Sequence, residues 1–132
     1  MPRAPRIRKS LRVELAFLQA VASRCPENPW VLRPLGDLYT RTGRIEEGLD
    51  LDLRLTRLVP GDPLVWYNLA CSYALRGETE EALGALSRAA HLGYGDACWM
   101  LQDADLKSLH GEPRFHELAE RIQSPTGTAG NR

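Results

Sequence analysis

Residues 34 apart match one another along the middle of this chain. With Pro29 set on Pro63, Leu35 falls on Leu69, Gly36 on Ala70, Tyr39 on Tyr73 and Gly43 on Gly77. Glu46 and Glu47 then fall on Glu80 and Glu81, and Leu49 on Leu83. A fixed period of this length implies stacked supersecondary units, each unable to bury its apolar face without a neighbour. Such stacks usually present recognition surfaces, so binding is the function class that the register points to.

Bulk properties narrow the field only by exclusion. With 17 basic and 17 acidic side chains, no global field selects nucleic acid or membrane. No apolar run approaches the roughly 18 to 20 residues that span a bilayer. Cys25, Cys71 and Cys98 are widely spaced and odd in number, which suits a reducing cytoplasm better than a disulfide framework. The start lacks a continuous apolar signal core. Its arginines before an amphipathic helix also fit an organelle transit peptide, but that helix keeps the repeat register and so reads as structural.

Element by element the pattern is helical. Leu11, Leu15, Leu18, Val21 and Ala22 recur at three- and four-residue steps until Cys25-Pro26. Shifted by 34, this helix is the second half of an incomplete leading unit. Asn28-Pro29 and Asp62-Pro63 each combine an N-cap with a first-turn proline, while Gly43 and Gly77 mark helix ends. Pro34, in the second turn, predicts a kink or a start delayed toward Leu32. Over 49–55 leucine alternates with polar residues, a strand signal. Ile45, Leu49 and Leu53 also form an i, i+4 row, with Leu51, Leu55 and Leu58 as a second, and the two rows decide for helix. A third unit opens near Asp96 and degrades into a short helix, a single turn over 105–109, and a last helix from Pro113 carrying Phe115, Leu118 and Ile122 on one face.

Units 29–62 and 63–96 resemble tetratricopeptide repeats. The second carries Trp66, Leu69, Ala70, Tyr73, Gly77, Ala82, Leu86 and Ala89 where that family places its packing residues. The first keeps Leu32, Leu35, Gly36, Tyr39, Gly43 and Pro60, and departs at Gly48 and Asp52. The resemblance implies an all-α, right-handed helical-hairpin solenoid of about six or seven helices. Its parts would be a basic flexible arm (1–9), a half repeat (10–28), repeats 29–62 and 63–96, a degenerate capping repeat (97–123) and a disordered tail (124–132).

The resemblance also implies a concave groove lined by the first helix of each pair. Trp30, Arg33, Asp37, Thr40 and Arg41 would face it from one unit, Leu64, Tyr67, Asn68, Cys71 and Leu75 from the next, and Cys98, Leu101 and Gln102 from the cap. Such a groove suits a protein or peptide partner, because aromatic and arginine side chains commonly anchor interfaces. Family members that clamp chaperone C-terminal carboxylates need asparagine and cations at set sites. Arg33 and Asn68 match, whereas Asp37, Cys98 and Gln102 do not, which argues against that ligand.

The expected function is therefore a non-catalytic, cytoplasmic protein-binding adaptor or scaffold with no cofactor and no metal. His91, His110 and His116 fit no HExxH spacing, and no glycine-rich phosphate loop precedes a helix. Cys98, His110 and His116 are the residues that could converge on a metal near the cap, although lone cysteines on packed helices are usually buried hydrophobes. Two alternatives concern the N-terminus. A homo-dimer could form through the helix left open by the missing half repeat. Arg3, Arg6, Arg8, Lys9 and Arg12 could instead touch nucleic acid or an anionic surface, though no aromatic residue is interleaved with them to stack on bases.

Overall fold

A computed structural model describes residues 9–123. The arm residues Arg3, Arg6 and Arg8 and the tail over 124–132 lie outside the described residues, among which every regular element is a helix. These are α1 (Lys9–Arg24), α2 (Pro29–Arg41), α3 (Ile45–Leu58), α4 (Pro63–Leu75), α5 (Thr79–His91), α6 (Ala97–Gln102), a 3-10 helix (Ala104–Leu109) and α7 (Pro113–Gln123). The alternating 49–55 segment lies within α3. The short 3-10 helix takes the place of the single turn expected there and brings the total to eight helices among the described residues, above the six or seven expected.

Helix boundaries repeat with the sequence period. Asn28, Asp62 and Asp96 stand 34 residues apart, and each side chain accepts a backbone N–H of the helix it precedes, from Trp30 (3.0 Å), Leu64 (2.9 Å) and Trp99 (2.9 Å). Each such cap stabilises its helix by about 1 kcal/mol. At the other ends Gly43, Gly77 and Gly93 take positive φ (82°, 78° and 108°). The residue after each glycine then donates back to a last-turn carbonyl: Arg44 to Tyr39 (2.7 Å), Glu78 to Tyr73 (2.9 Å) and Tyr94 to Ala89 (2.9 Å). This left-handed ending satisfies carbonyls that the helix leaves open, and only glycine adopts it without steric cost.

The chain divides into two compact units, Met1–Leu58 and Val59–Arg132. In the first, α2 packs against both α1 and α3. Leu32, Leu35 and Leu38 from α2 and Leu49, Leu51 and Leu55 from α3 form its core, and α1 adds Leu15. Gln19 of α1 donates to the Tyr39 hydroxyl of α2 at 3.0 Å. Helix α2 begins at Pro29, so the start delayed toward Leu32 does not occur. Asn28 anchors the first turn by accepting from Trp30 through its side chain and from Val31 and Leu32 through its carbonyl, and burial of Leu32 and Leu35 carries the helix past Pro34.

In the second unit α4 packs against α5 on one side and the 3-10 helix on the other, while α7 packs on α5 and α6. Phe115, Met100, Leu106, Leu109, Leu86 and Val65 are almost wholly enclosed. Ser108 of the 3-10 helix donates to the Ala74 carbonyl near the end of α4 at 3.1 Å. The Arg114 fork at the start of α7 grips Glu80 at the start of α5, at 2.6 and 2.9 Å. Glu80 and Glu81, like Glu46 and Glu47, occupy first turns, where a negative charge complements the helix dipole.

Candidate protein-binding surfaces

In the first unit, Trp30, Arg33, Asp37 and Arg41 follow steps of three, four and four along α2 and so share one stripe. Leu32, Leu35, Gly36 and Leu38 take the opposite, buried face. Trp30 is 86% exposed, although its backbone is pinned by the Asn28 cap. A large ring held in water on a fixed turn is the least expected placement for tryptophan. Asp37 accepts from Arg41 one turn later at 3.3 Å, and both side chains are open to solvent. Such a pair is weak, so a ligand carboxylate could compete for the guanidinium. Arg33 is half-buried, as is Thr40, whose hydroxyl donates to the Gly36 carbonyl at 3.2 Å.

In the second unit, the stripe at the same register on α4 is only partly open. Leu64 is 51% exposed, and Asn68 and Leu75 also face solvent. Tyr67 and Cys71, placed in the groove by the resemblance, are buried. The correction has a direct cause: the 3-10 helix and the Asp103 junction that leads into it lie against α4 on the side of these two residues and enclose them. The Tyr67 hydroxyl donates to Asp103 Oδ2 at 2.7 Å, and the Cys71 thiol points at the same oxygen from 3.7 Å. The other carboxylate oxygen caps the 3-10 helix by accepting from the Asp105 amide at 3.0 Å. Asp103 therefore ties α4 to the junction after α6.

Tyr94 stacks on Tyr67 with ring centroids 4.5 Å apart, and its enclosed hydroxyl has no hydrogen-bond partner. Burial drives the Tyr67 phenol far above its ordinary range, with the neighbouring Cys71 and Asp103 adding to the effect. Burial likewise pushes Tyr94 up to about 12, with Asp96, Cys71 and Asp103 nearby adding to the effect. Both rings are neutral packing elements at physiological pH.

Beyond α4, Leu101 and Gln102 are exposed on α6, as expected, and Gln102 donates to the exposed Cys98 thiol at 3.3 Å. Trp99, 54% exposed, was not foreseen as a surface residue. Its repeat equivalents Val31 and Val65 are half-buried and buried, so the register points inward at this position and carries no signal of its exposure. Asp103 and Tyr94 were also missed, because the repeat pattern has faded where they stand.

Cys98, His110 and His116 do not form a ligand set. The His116 ring instead bonds the His110 carbonyl at 2.7 Å, and the His110 ring packs on Phe115. Among the described residues the His, Cys and acidic group whose ligand atoms come together is Cys71, Asp103 and Asp105, within 4.8 Å. The hydroxyl, thiol and amide hydrogen bonds to Asp103 already account for its two oxygens, so this cluster reads as a brace. No helix among the described residues is long and apolar enough to cross a membrane.

No protein-family model matches the chain, and no curated protein matches it.

Proposed function

We propose that this chain is a tetratricopeptide-like solenoid of helical hairpins acting as a non-catalytic adaptor for a protein or peptide. The observation that carries this reading is the paired exposure of Trp30 and Leu64. They are large apolar side chains at the same repeat position, each held in water on a capped first turn. Preformed anchors lose little freedom on binding, which favours recognition. On α2 the flanking Arg33 and Arg41 suit a ligand with an apolar side chain beside a carboxylate. Cys25, Cys71 and Cys98 stand as thiols, which fits a reducing compartment such as the cytoplasm.

Selection from a random peptide library displayed on phage tests the proposal. Wild type should enrich peptides that combine a large apolar residue with acids. Trp30→Ala with Arg41→Glu in one unit, or Leu64→Glu with Asn68→Lys in the other, should reduce their binding by about tenfold or more, with helicity by circular dichroism unchanged. All four positions are exposed, so the variants spare the core; Tyr67→Ala would not. No enrichment, or binding indifferent to both pairs, would overturn the reading.

A further inference from the structure

Helix α1 has a face that its counterparts α3 and α5 keep covered. On α3, the side turned to α2 is marked by close approach. A Cβ added to Gly48 would stand 2.9 Å from Thr40 Oγ1, and one added to Gly36 would stand 3.3 Å from Asp52 Oδ1 and 3.7 Å from the Leu51 Cβ. Thirty-four residues earlier, Gly48, Leu51 and Asp52 correspond to Glu14, Phe17 and Leu18. Leu51 and its next equivalent, Ala85, are buried, whereas Phe17 is 65% exposed. Gly48 and Ala82 are buried small residues, whereas Glu14 is exposed. No described helix takes the place that α2 takes for α3.

We infer that this face is covered by α1 of a second copy, running parallel to the first. Ser10, Val13, Phe17 and Ala20 lie at steps of three, four and three, the spacing of a two-helix seam, and all four are exposed. Val13 is 62% exposed, and a continuous apolar surface runs over Lys9, Ser10, Val13, Glu14 and Phe17. The charge pattern chooses the occupant and its direction. Lys9 and Glu14 flank the seam on opposite sides, five residues apart. In a parallel pair that spacing sets each lysine against the glutamate of the other copy, twice over. An antiparallel pair would bring Glu14 beside Glu14. Glu14 also stands where close nesting of a hairpin partner needs a small residue, so the face suits a looser, charge-flanked helix pair. The seam spans about two heptads, so the dimer is weak, with dissociation constants on the order of micromolar or above.

This inference is independent of the proposed binding function, whose residues lie on α2 and α4. Sedimentation equilibrium from about 10 µM to about 1 mM should show a reversible dimer. Phe17→Glu should weaken it at least tenfold, by about 1.4 kcal/mol or more, with circular dichroism unchanged because the ring is exposed. Lys9→Glu alone and Glu14→Lys alone should each weaken self-association. Mixing those two variants should restore a dimer, because opposite charges then face each other across the seam. A monomer at every concentration would overturn the inference, as would a dimer that survives Phe17→Glu or a mixture that fails to associate.

Discussion

Thr40 and Gly48 show how the two helix pairs, α2 with α3 and α4 with α5, solve one packing problem with different side chains. At the equivalent positions the second unit has Ala74 and Ala82, both buried. In the first, the Thr40 hydroxyl occupies the space that a methyl group on Gly48 would need, 2.9 Å away. The departure from alanine at Gly48 is thus a volume exchange. Glycine to alanine within a helix ordinarily gains about 1 kcal/mol. Gly48→Ala alone should therefore gain less than that or destabilise, while Gly48→Ala in a Thr40→Ala background should gain the full amount. A double-mutant cycle by urea denaturation should give a coupling of about 1 kcal/mol; strict additivity would disprove the exchange. Tyr94 gives a second residue-scale prediction. Its folded pKa is raised, so its contribution to stability is complete below the unfolded value of about 10 and is lost as pH climbs through about 12. The urea midpoint should hold from pH 7 to 9 and fall above 10. Tyr94→Phe should make that decline shallower. Because the hydroxyl it removes is enclosed and unpartnered, the same variant should cost nothing at pH 7 or gain up to about 1 kcal/mol.

Among the elements, α2 contains the clearest conflict between local preference and observed structure. Pro34 has no N–H to return to the Trp30 carbonyl, yet the helix is continuous from Pro29 to Arg41. Cap and core outweigh the local penalty. Pro34→Ala should then raise stability by about 1 to 2 kcal/mol, the restored hydrogen bond being partly offset by a more flexible unfolded chain. An unchanged or lower thermal midpoint would mean that Pro34 has a role beyond its helix. Boundaries elsewhere were legible because they are local. An Asx cap, a first-turn proline and a left-handed glycine act on backbone groups within a few residues. The faces of α4 were not. Its register is that of α2, but α2 leaves Arg33 half-buried and Asp37 in water while α4 encloses Tyr67 and Cys71. Both helices have two neighbours, and which face the second one covers, here the Tyr67 and Cys71 face met by Asp103 and the 3-10 helix, is a matter of which neighbour arrives.

For the molecule as a whole, burial is uneven. Phe115, Met100, Leu106 and Leu109 add a second layer of apolar contact around α4 and α5 in unit Val59–Arg132, whereas α1 buries Leu15 alone. Local opening free energy follows such burial. Hydrogen-exchange mass spectrometry should find the slowest amides in α4 and α5 and the fastest helical amides in α1, with α1 gaining protection at concentrations where it self-associates. Equal protection of α1 and α5 in dilute solution would contradict this ordering.

The 34-residue register, read with its caps, glycines and apolar rows, was enough to determine helix type, helix ends and the paired leucines of 45–58. Those features depend on contacts within a turn or on a periodicity that any neighbour would satisfy. Tertiary structure alone decided that Tyr67 and Cys71 turn inward to Asp103, that Trp99 stands in water, and that Val13 and Phe17 are the side chains bared on the open face of α1. Burial belongs to pairs of surfaces, and one helix's sequence does not state which surface will meet it.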